Sequence, residues 1–373
     1  MTFHIWGILM NNFFDLNIEQ VLEHWGLEHA VREIIANALD EQLLTKSKNI
    51  EIFKDNLGHW HIRDFGRGLE YVHFTQNENQ EKLVSPNLIG KFGVGLKDAL
   101  AVFNRHGIKV NIQSKYAWVS LKMAQKSGFN LDTLHAVFEE PMNEDFIGTE
   151  FILIGITDDA IQKAKDMFLR FSNAPLLEKT RFGEVYKATG SGKIYVNGVQ
   201  VAEEDNFMFS YNITNINAQI KKALNRERSN VGRTAYSDSI KKILTKCESK
   251  DVLMCLMNDL SNIMLGTQKD ESSWIDVSTY VAKKLNEESN IVFLTPYERA
   301  SLTNEQVEIL EESGKDIFLI TDILKEKLGD TVTTFNEIIE DYRESFQFKF
   351  IDYRELTEKE EISLRQKNLF LNF

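Results

Sequence analysis

Glu33, Asn37 and Asp40 stand at i, i+4 and i+7 within the largely apolar segment Val31 to Asp40. On a helix that spacing brings all three to one face. Three polar groups there are costly to bury without partners, so the face meets either water or a ligand. An amide oxygen such as that of Asn37 is a hard donor suited to magnesium. A carboxylate one turn earlier can orient and deprotonate an attacking water. A second segment, Asp64-Phe65-Gly66-Arg67-Gly68, follows a strand-like stretch. Its carboxylate can accept from an exocyclic amine, and Gly66 and Gly68 let backbone approach a flat base without a Cβ between them. The third is Gly90-Lys91-Phe92-Gly93-Val94-Gly95-Leu96-Lys97, with glycines running straight into a helix. Backbone N–H groups and the helix dipole there face an anion. Taken singly, these are also what a solvated helix edge, a turn and a loop look like.

Their order gives them more weight than any one alone. The set resembles the GHKL ATPases, whose Bergerat fold is shared by gyrase B, ninety-kilodalton heat-shock chaperones, MutL and histidine kinases. Glu33 to Asn37 resembles the family's N-box, Asp64 to Gly68 its D-x-G-x-G motif, and Ile89 to Lys97 its second glycine box. Gly148-Thr149-Glu150 is similar to its later G-T element. The resemblance covers most of residues 17 to 155 and implies ATP and Mg²⁺ as ligands. It assigns Glu33 as general base, Asn37 as the metal's protein ligand, and Asp40 to the same binding face. Asp64 would meet adenine with Thr149 in support, through water. Gly90, Lys91, Phe92, Gly93, Val94 and Gly95 would cradle the phosphates, and Leu69 to Ile89 would close as a lid. Lys97 fits a surface role as well as a phosphate contact.

Glu33 separates the chain from the histidine-kinase branch, which generally lacks that carboxylate, so the resemblance implies hydrolysis to ADP and phosphate. Hydrolytic members reach the γ-phosphate with a cation from a second domain, as phosphoryl transfer requires. Arg226, within Leu224 to Val231, is the candidate and Arg228 a weaker one; a solvated basic loop is the plain alternative. Lys221, Lys222 and Arg233 lie nearby and suit a nucleic-acid phosphate equally. The resemblance further implies an ATP-driven switch in which two copies associate and act on a partner protein. The alternatives are an ATP sensor with negligible hydrolysis, in a setting such as phage defence, and a MORC- or MutL-like ATPase acting on nucleic acid. Thr189 to Lys193 imitates the end of a P-loop. Lys187 and Ile194 occupy places where that motif needs glycine and a hydroxyl, and a hairpin turn fits better.

A helix from Asn17–Gln20 through Leu39 must carry the first segment. Strands at 49–54 and 58–63 must carry the second, and a helix at 96–104 must follow the third. Further strands at 109–113, 117–123, 135–139 and 149–154 complete a helix-on-antiparallel-sheet layer, so the class is α+β. A second domain, with a strand over Lys193 to Val201, is expected over residues 156–245. The remainder, 246–373, reads as helices to Glu288 and then a small α/β unit with strands at 291–294, 316–321 and 346–351. Met1 to Leu16 lacks a basic start and a cleavage site, and suits an arm or first strand better than a signal peptide. No run approaches membrane-spanning length. A hydrophobic fraction of 43% and a charged fraction of 27% are those of an ordinary globular protein. The net charge of -13 opposes wholesale nucleic-acid binding. Cys247 and Cys255 match no metal or redox spacing and read as buried thiols in a reducing, cytoplasmic setting. His59 and His61 read as surface histidines.

Overall fold

Lys46 leaves the first long helix in the left-handed region, at φ 54°, and so fixes where that helix stops. Helix α1 spans Leu27–Thr45, with Gly26 as its N-cap and the Gly26 N–H donating to His29 Nδ1 at 3.1 Å. It therefore begins later than its apolar rhythm suggests: Trp25 is buried ahead of it, and the expected cap at Asn17 lies outside the described residues. The structure, a computed structural model, describes residues 13–16, 23–75, 95–224, 231–262, 266–288, 290–332 and 335–345.

Val31, Ile34, Ile35 and Ala38 of α1 share a core with Ala99, Leu100, Val102 and Phe103 of a second helix, α2 (Gly95–Arg105). Both helices lie on a sheet of β1 (Phe13–Asp15), β2 (Glu51–Lys54), β3 (Trp60–Arg63), β4 (Lys109–Ser114), β5 (Trp118–Gln125), β6 (Asp132–Glu139) and β7 (Thr149–Ile154). The strand order is β1-β6-β5-β4-β7-β3-β2, and every pairing is antiparallel. That order sets β3 beside β7 and so joins the Asp64 and Thr149 segments. The core does not stop at 155. Helix α3 (Asp158–Asp166) packs against α1, and Ile161, Ala164, Phe168 and Val199 belong to the same cluster.

A second sheet, in the order β11-β10-β12-β9-β8, follows. Its strands are β8 (Leu176–Lys179), β9 (Gly183–Lys187), β10 (Gly192–Val196), β11 (Val199–Glu204) and β12 (Phe209–Ile213). Two expectations are corrected here. Lys193 to Val201 is not one strand: Asn197-Gly198 turns the chain into a hairpin, with φ of 49° and 81°, and Asn-Gly is the pair that such a turn selects. The Thr189 to Lys193 stretch is not a hairpin turn either, because β9 and β10 lie on opposite sides of β12. Helix α4 (Arg233–Leu244) packs on β9 and β12 through Ile240 and Ile243.

Contacts divide the chain into two units. One is residues 1–252 with 269–271, and the other is 253–268 with 272–373. In the second, β13 (Ile291–Leu294) and β14 (Asp316–Leu319) pair in parallel, as the predicted α/β pattern requires. The crossover between them holds helices Pro296–Ser301 and Asn304–Glu312, each opened by a reciprocal cap, Thr295 with Glu298 and Thr303 with Gln306. The strand expected at 346–351 lies outside the described residues. Cys247 is buried, as expected, and burial pushes its thiol well up. Cys255 is exposed, against expectation, because Val252, Leu253, Leu256 and Met257 take the inner face of its helix. His61 is no surface residue. It stacks on Phe53 with ring centroids 4.7 Å apart and reaches Glu150 Oε1 at 3.1 Å.

Candidate functional site

Asp64 leaves the end of β3 with its backbone still in the ladder, its N–H donating to the Thr149 carbonyl at 2.9 Å. The side chain is only 6% exposed. Its Oδ1 accepts from the Gly66 N–H at 2.9 Å and from the Thr149 N–H at 3.3 Å. Burial nonetheless pushes its pKa up to about 6, and the nearby Glu41 carboxylate adds to that rise. The two N–H donors work the other way, and desolvation outweighs them. Thr149 therefore meets Asp64 directly through its backbone N–H.

The turn after Asp64 admits glycine alone at two close approaches. Gly148 has φ +85°, and a Cβ on it would overlap the Asp64 carbonyl. Gly68 has φ +92° and faces the Gly148 carbonyl, 3.3 Å from where its Cβ would stand. Glu41 holds the turn from the α1 side. Arg67 donates to Glu41 Oε1 from its backbone N–H at 2.8 Å and from Nε at 2.9 Å, and to Oε2 from Nη2 at 2.9 Å. Ser114 closes the far side, its hydroxyl donating to the Leu69 carbonyl at 2.8 Å.

Glu33 is 3% exposed, and Arg32 donates to its Oε1 from Nε at 3.2 Å and Nη2 at 3.0 Å. Arg32 itself lies over Trp25, 5.2 Å from the ring centroid. The other oxygen of Glu33 abuts Gly95, where a Cβ would overlap it. The fold thus joins the expected base to the last glycine of the third segment. Asn37 is half-buried on the same helix, and Asp40 is buried. Lys97 lies over Phe14, 5.9 Å from the ring centroid. Gly90, Lys91, Phe92, Gly93 and Val94, the expected lid beyond Thr75, and Arg226 and Arg228 lie outside the described residues. Arg233 bonds Asp270, lies 3.8 Å from Glu204 and covers Phe207, which occupies the charge a nucleic-acid phosphate would need.

Arg32, Glu41, Arg67 and Ser114 were not singled out from the sequence. Glu41 carried a usable signal, since it lies one turn beyond Asn37 on the same stripe. Ser114 carried none, because its partner is a carbonyl 45 residues away.

Comparison with known proteins supplies a family. An uncharacterized protein of Mycoplasma pneumoniae (strain ATCC 29342 / M129 / Subtype 1) is 36% identical over 245 residues, covering 64% of this chain and 99% of the relative. The chain belongs to the family of that protein. A second uncharacterized protein of the same strain is 32% identical over 149 residues, covering 39% of this chain and 42% of the relative, so the chain spans less than half of that protein. A family model described as the Mycoplasma pneumoniae MPN635 N-terminal domain matches residues 159–250. That match takes in the second sheet and α4 and leaves Glu33, Asp64 and Thr149 outside it. Among the described residues no helix is long and apolar enough to cross a membrane.

Proposed function

We propose that the chain binds ATP with Mg²⁺ on the face formed by α1, the Asp64 turn and the start of α2, and hydrolyses it in the GHKL manner. One observation carries this reading. Asp64 is a buried carboxylate braced by two backbone N–H groups, in a turn where Gly148 has no room for a Cβ. The Thr149 side chain bonds the same carboxylate, and the carboxylate so braced would accept from an exocyclic amine such as adenine's. Gly95 against Glu33 brings an anion-binding helix start to a carboxylate base. The bound metal supplies charge neutralisation at the phosphates, with Asn37 as its protein ligand. Glu33 orients the attacking water and takes its proton, and Asp64 fixes the base. Arg226 supplies the outer charge, and ATP-dependent association of two copies in the cytoplasm couples turnover to a partner protein. Cys247 and Cys255 form no disulfide, which suits that compartment.

The test is magnesium-dependent phosphate release by the native chain, Glu33→Ala and Asp64→Asn. Turnover lost with ATP binding kept in the first, and binding lost in the second, is the expected result. A native chain with no measurable ATP binding sinks the proposal. An unchanged solution mass at saturating non-hydrolysable analogue removes the association of two copies.

A second reading, ATP held as a signal with negligible turnover, draws on the Arg32 bond to Glu33, which ties up the base. Arg32→Lys keeps the charge and loses the two-pronged grip. Faster phosphate release in that variant favours restraint by Arg32, and unchanged release removes the second reading's support.

A further inference from the structure

Leu39, Gln42 and Leu43 stand at i, i+3 and i+4 along α1, on the stripe turned away from Glu33, Asn37 and Glu41, and Lys46 is the residue that ends the helix beyond them. They border a cleft of about 430 Å³ whose other walls are Phe168, Arg170 and the Asn197-Gly198 turn. That volume lies in the range of small-molecule sites, roughly 300–1,000 Å³. Glu33, Asn37, Asp64 and Thr149 take no part in it.

The polar groups of the cleft are arranged around a cation. Arg170 donates from Nη1 to Gln42 Oε1 at 2.8 Å and from Nη2 to Asn49 Oδ1 at 2.5 Å, and Gln42 Nε2 donates to Asn49 Oδ1 at 2.9 Å. Both acceptors are uncharged, so the guanidinium is aimed but not neutralised. Lys46 adds a second charge at the rim, and among the described residues no carboxylate pairs with either cation. Asp40 borders the cleft, but its side chain is buried. Beside the cations lie Phe168 as a floor and Leu43, which is 54% exposed. A pre-oriented guanidinium fork with spare N–H groups matches a planar carboxylate better than a point charge does.

We propose that this cleft binds a small carboxylic acid on a short apolar chain, its carboxylate on Arg170 and Lys46 and its chain against Leu39, Leu43 and Phe168. Of the residues expected on the nucleotide face only Asp40, with its side chain buried, borders this cleft, and the proposal does not depend on nucleotide binding.

Hexanoate is the probe, with hexylammonium and hexanol as controls of equal length. The full chain is titrated, and the methyl resonances of Leu39 and Leu43 are followed by NMR, assigned through Leu39→Val and Leu43→Val. Hexanoate should shift both saturably while the two controls do not. Arg170→Gln and Lys46→Gln should each weaken hexanoate about tenfold, the loss of one charge-assisted contact. Equal responses to all three probes, no saturable shift, or full affinity in Lys46→Gln each overturn the proposal. Lys46 lies at the helix end and makes no bond to the Gln42–Asn49–Arg170 network, so its variant keeps the test open even where Arg170→Gln fails to fold.

Discussion

Asp64 is held buried at a cost to its charged form. Its pKa is raised from 3.8 to about 6, so the folded chain binds that proton more tightly than the unfolded chain does. The sign follows directly. The contribution to stability is fully present below about pH 4 and is lost as pH rises through about 6, by roughly 3 kcal/mol from a shift of about two units. Asp64→Asn removes that loss, so thermal unfolding of the variant should be less steeply pH-dependent between 4 and 7. Nucleotide binding runs the opposite way, because the amine needs the ionised carboxylate, and should weaken below pH 6. An unfolding profile in Asp64→Asn that matches the native one would show that the carboxylate is not the titrating group. Arg32 makes a different case. It and Glu33 form a pair with side chains 2% and 4% exposed, and removing one partner of a buried pair costs about 3 kcal/mol or more. Arg32→Met and Glu33→Gln each remove one charge of the buried pair, so each should unfold more readily than the native chain in denaturant titrations; a native-like midpoint in either variant would contradict this. Asp64 and Glu33 were visible in the sequence because the reactions they suit need those types at those spacings. Arg32 was not, since an arginine beside a glutamate on a helix ordinarily points to water.

Glycine decides matters at the element scale, where β3 and β7 meet. Gly58 and Gly148 share φ +85°, yet their surroundings differ. A Cβ on Gly58 finds nothing nearer than the Lys54 side chain at 4.0 Å, whereas on Gly148 it would overlap the Asp64 backbone. Gly58→Ala should cost only the left-handed conformation, about 1 kcal/mol. Gly148→Ala must also push the two backbones apart, so its loss should exceed that by about 2 kcal/mol and loosen the Asp64 turn. Midpoints of thermal unfolding for the pair check this, and equal midpoints would sink it. The strands of the first sheet were legible because alternation survives in them: β7 was expected at its observed bounds, and β3 within two residues. The second sheet was not. In Lys193 to Val201 the apolar pattern runs on through the turn, and only Asn197-Gly198 marks the reversal. Nothing local shows that β9 and β10 flank β12, a pairing fixed by contacts far apart in the chain. Arg67 was missed for the same reason, since it lies 26 residues from Glu41 and joins it only once the helix lies beside the turn.

At the scale of the molecule, three residues belong to one unit while the chain on both sides of them belongs to the other. Residues 269–271 enter unit 1 between the two stretches of unit 2. Glu271 is fully buried there, its Oε1 accepting from the Met208 N–H at 2.8 Å, the Phe209 N–H at 3.2 Å and the Tyr211 hydroxyl at 3.0 Å. Its Oε2 is buried with no hydrogen-bond partner. Burial raises its pKa from 4.5 to about 7, against the opposing effect of those donors. The stability it lends is therefore present below about pH 4.5 and is lost as pH rises through 7, again by roughly 3 kcal/mol. A neutral amide keeps the acceptor for the three donors and carries no charge into the core. Glu271→Gln should hold its unfolding midpoint between about pH 4.5 and 7 while the native midpoint declines across that window. Glu271→Ala strands three buried donors at every pH and should lose stability throughout, so it separates loss of the bonds from loss of the charge. Asp64 titrates about a unit lower and sits in the other sheet, so Asp64→Asn should leave this decline in place, and a decline that vanishes only in Asp64→Asn would move the effect to the site. Glu271 thereby pins the start of β12, because Phe209 opens that strand with Met208 just before it, and β12 pairs with both β9 and β10. Parallel curves for the native chain and Glu271→Gln across the whole range would show that the Glu271 carboxylate is held charged, and the account of β12 as pinned by a neutral acid would fall.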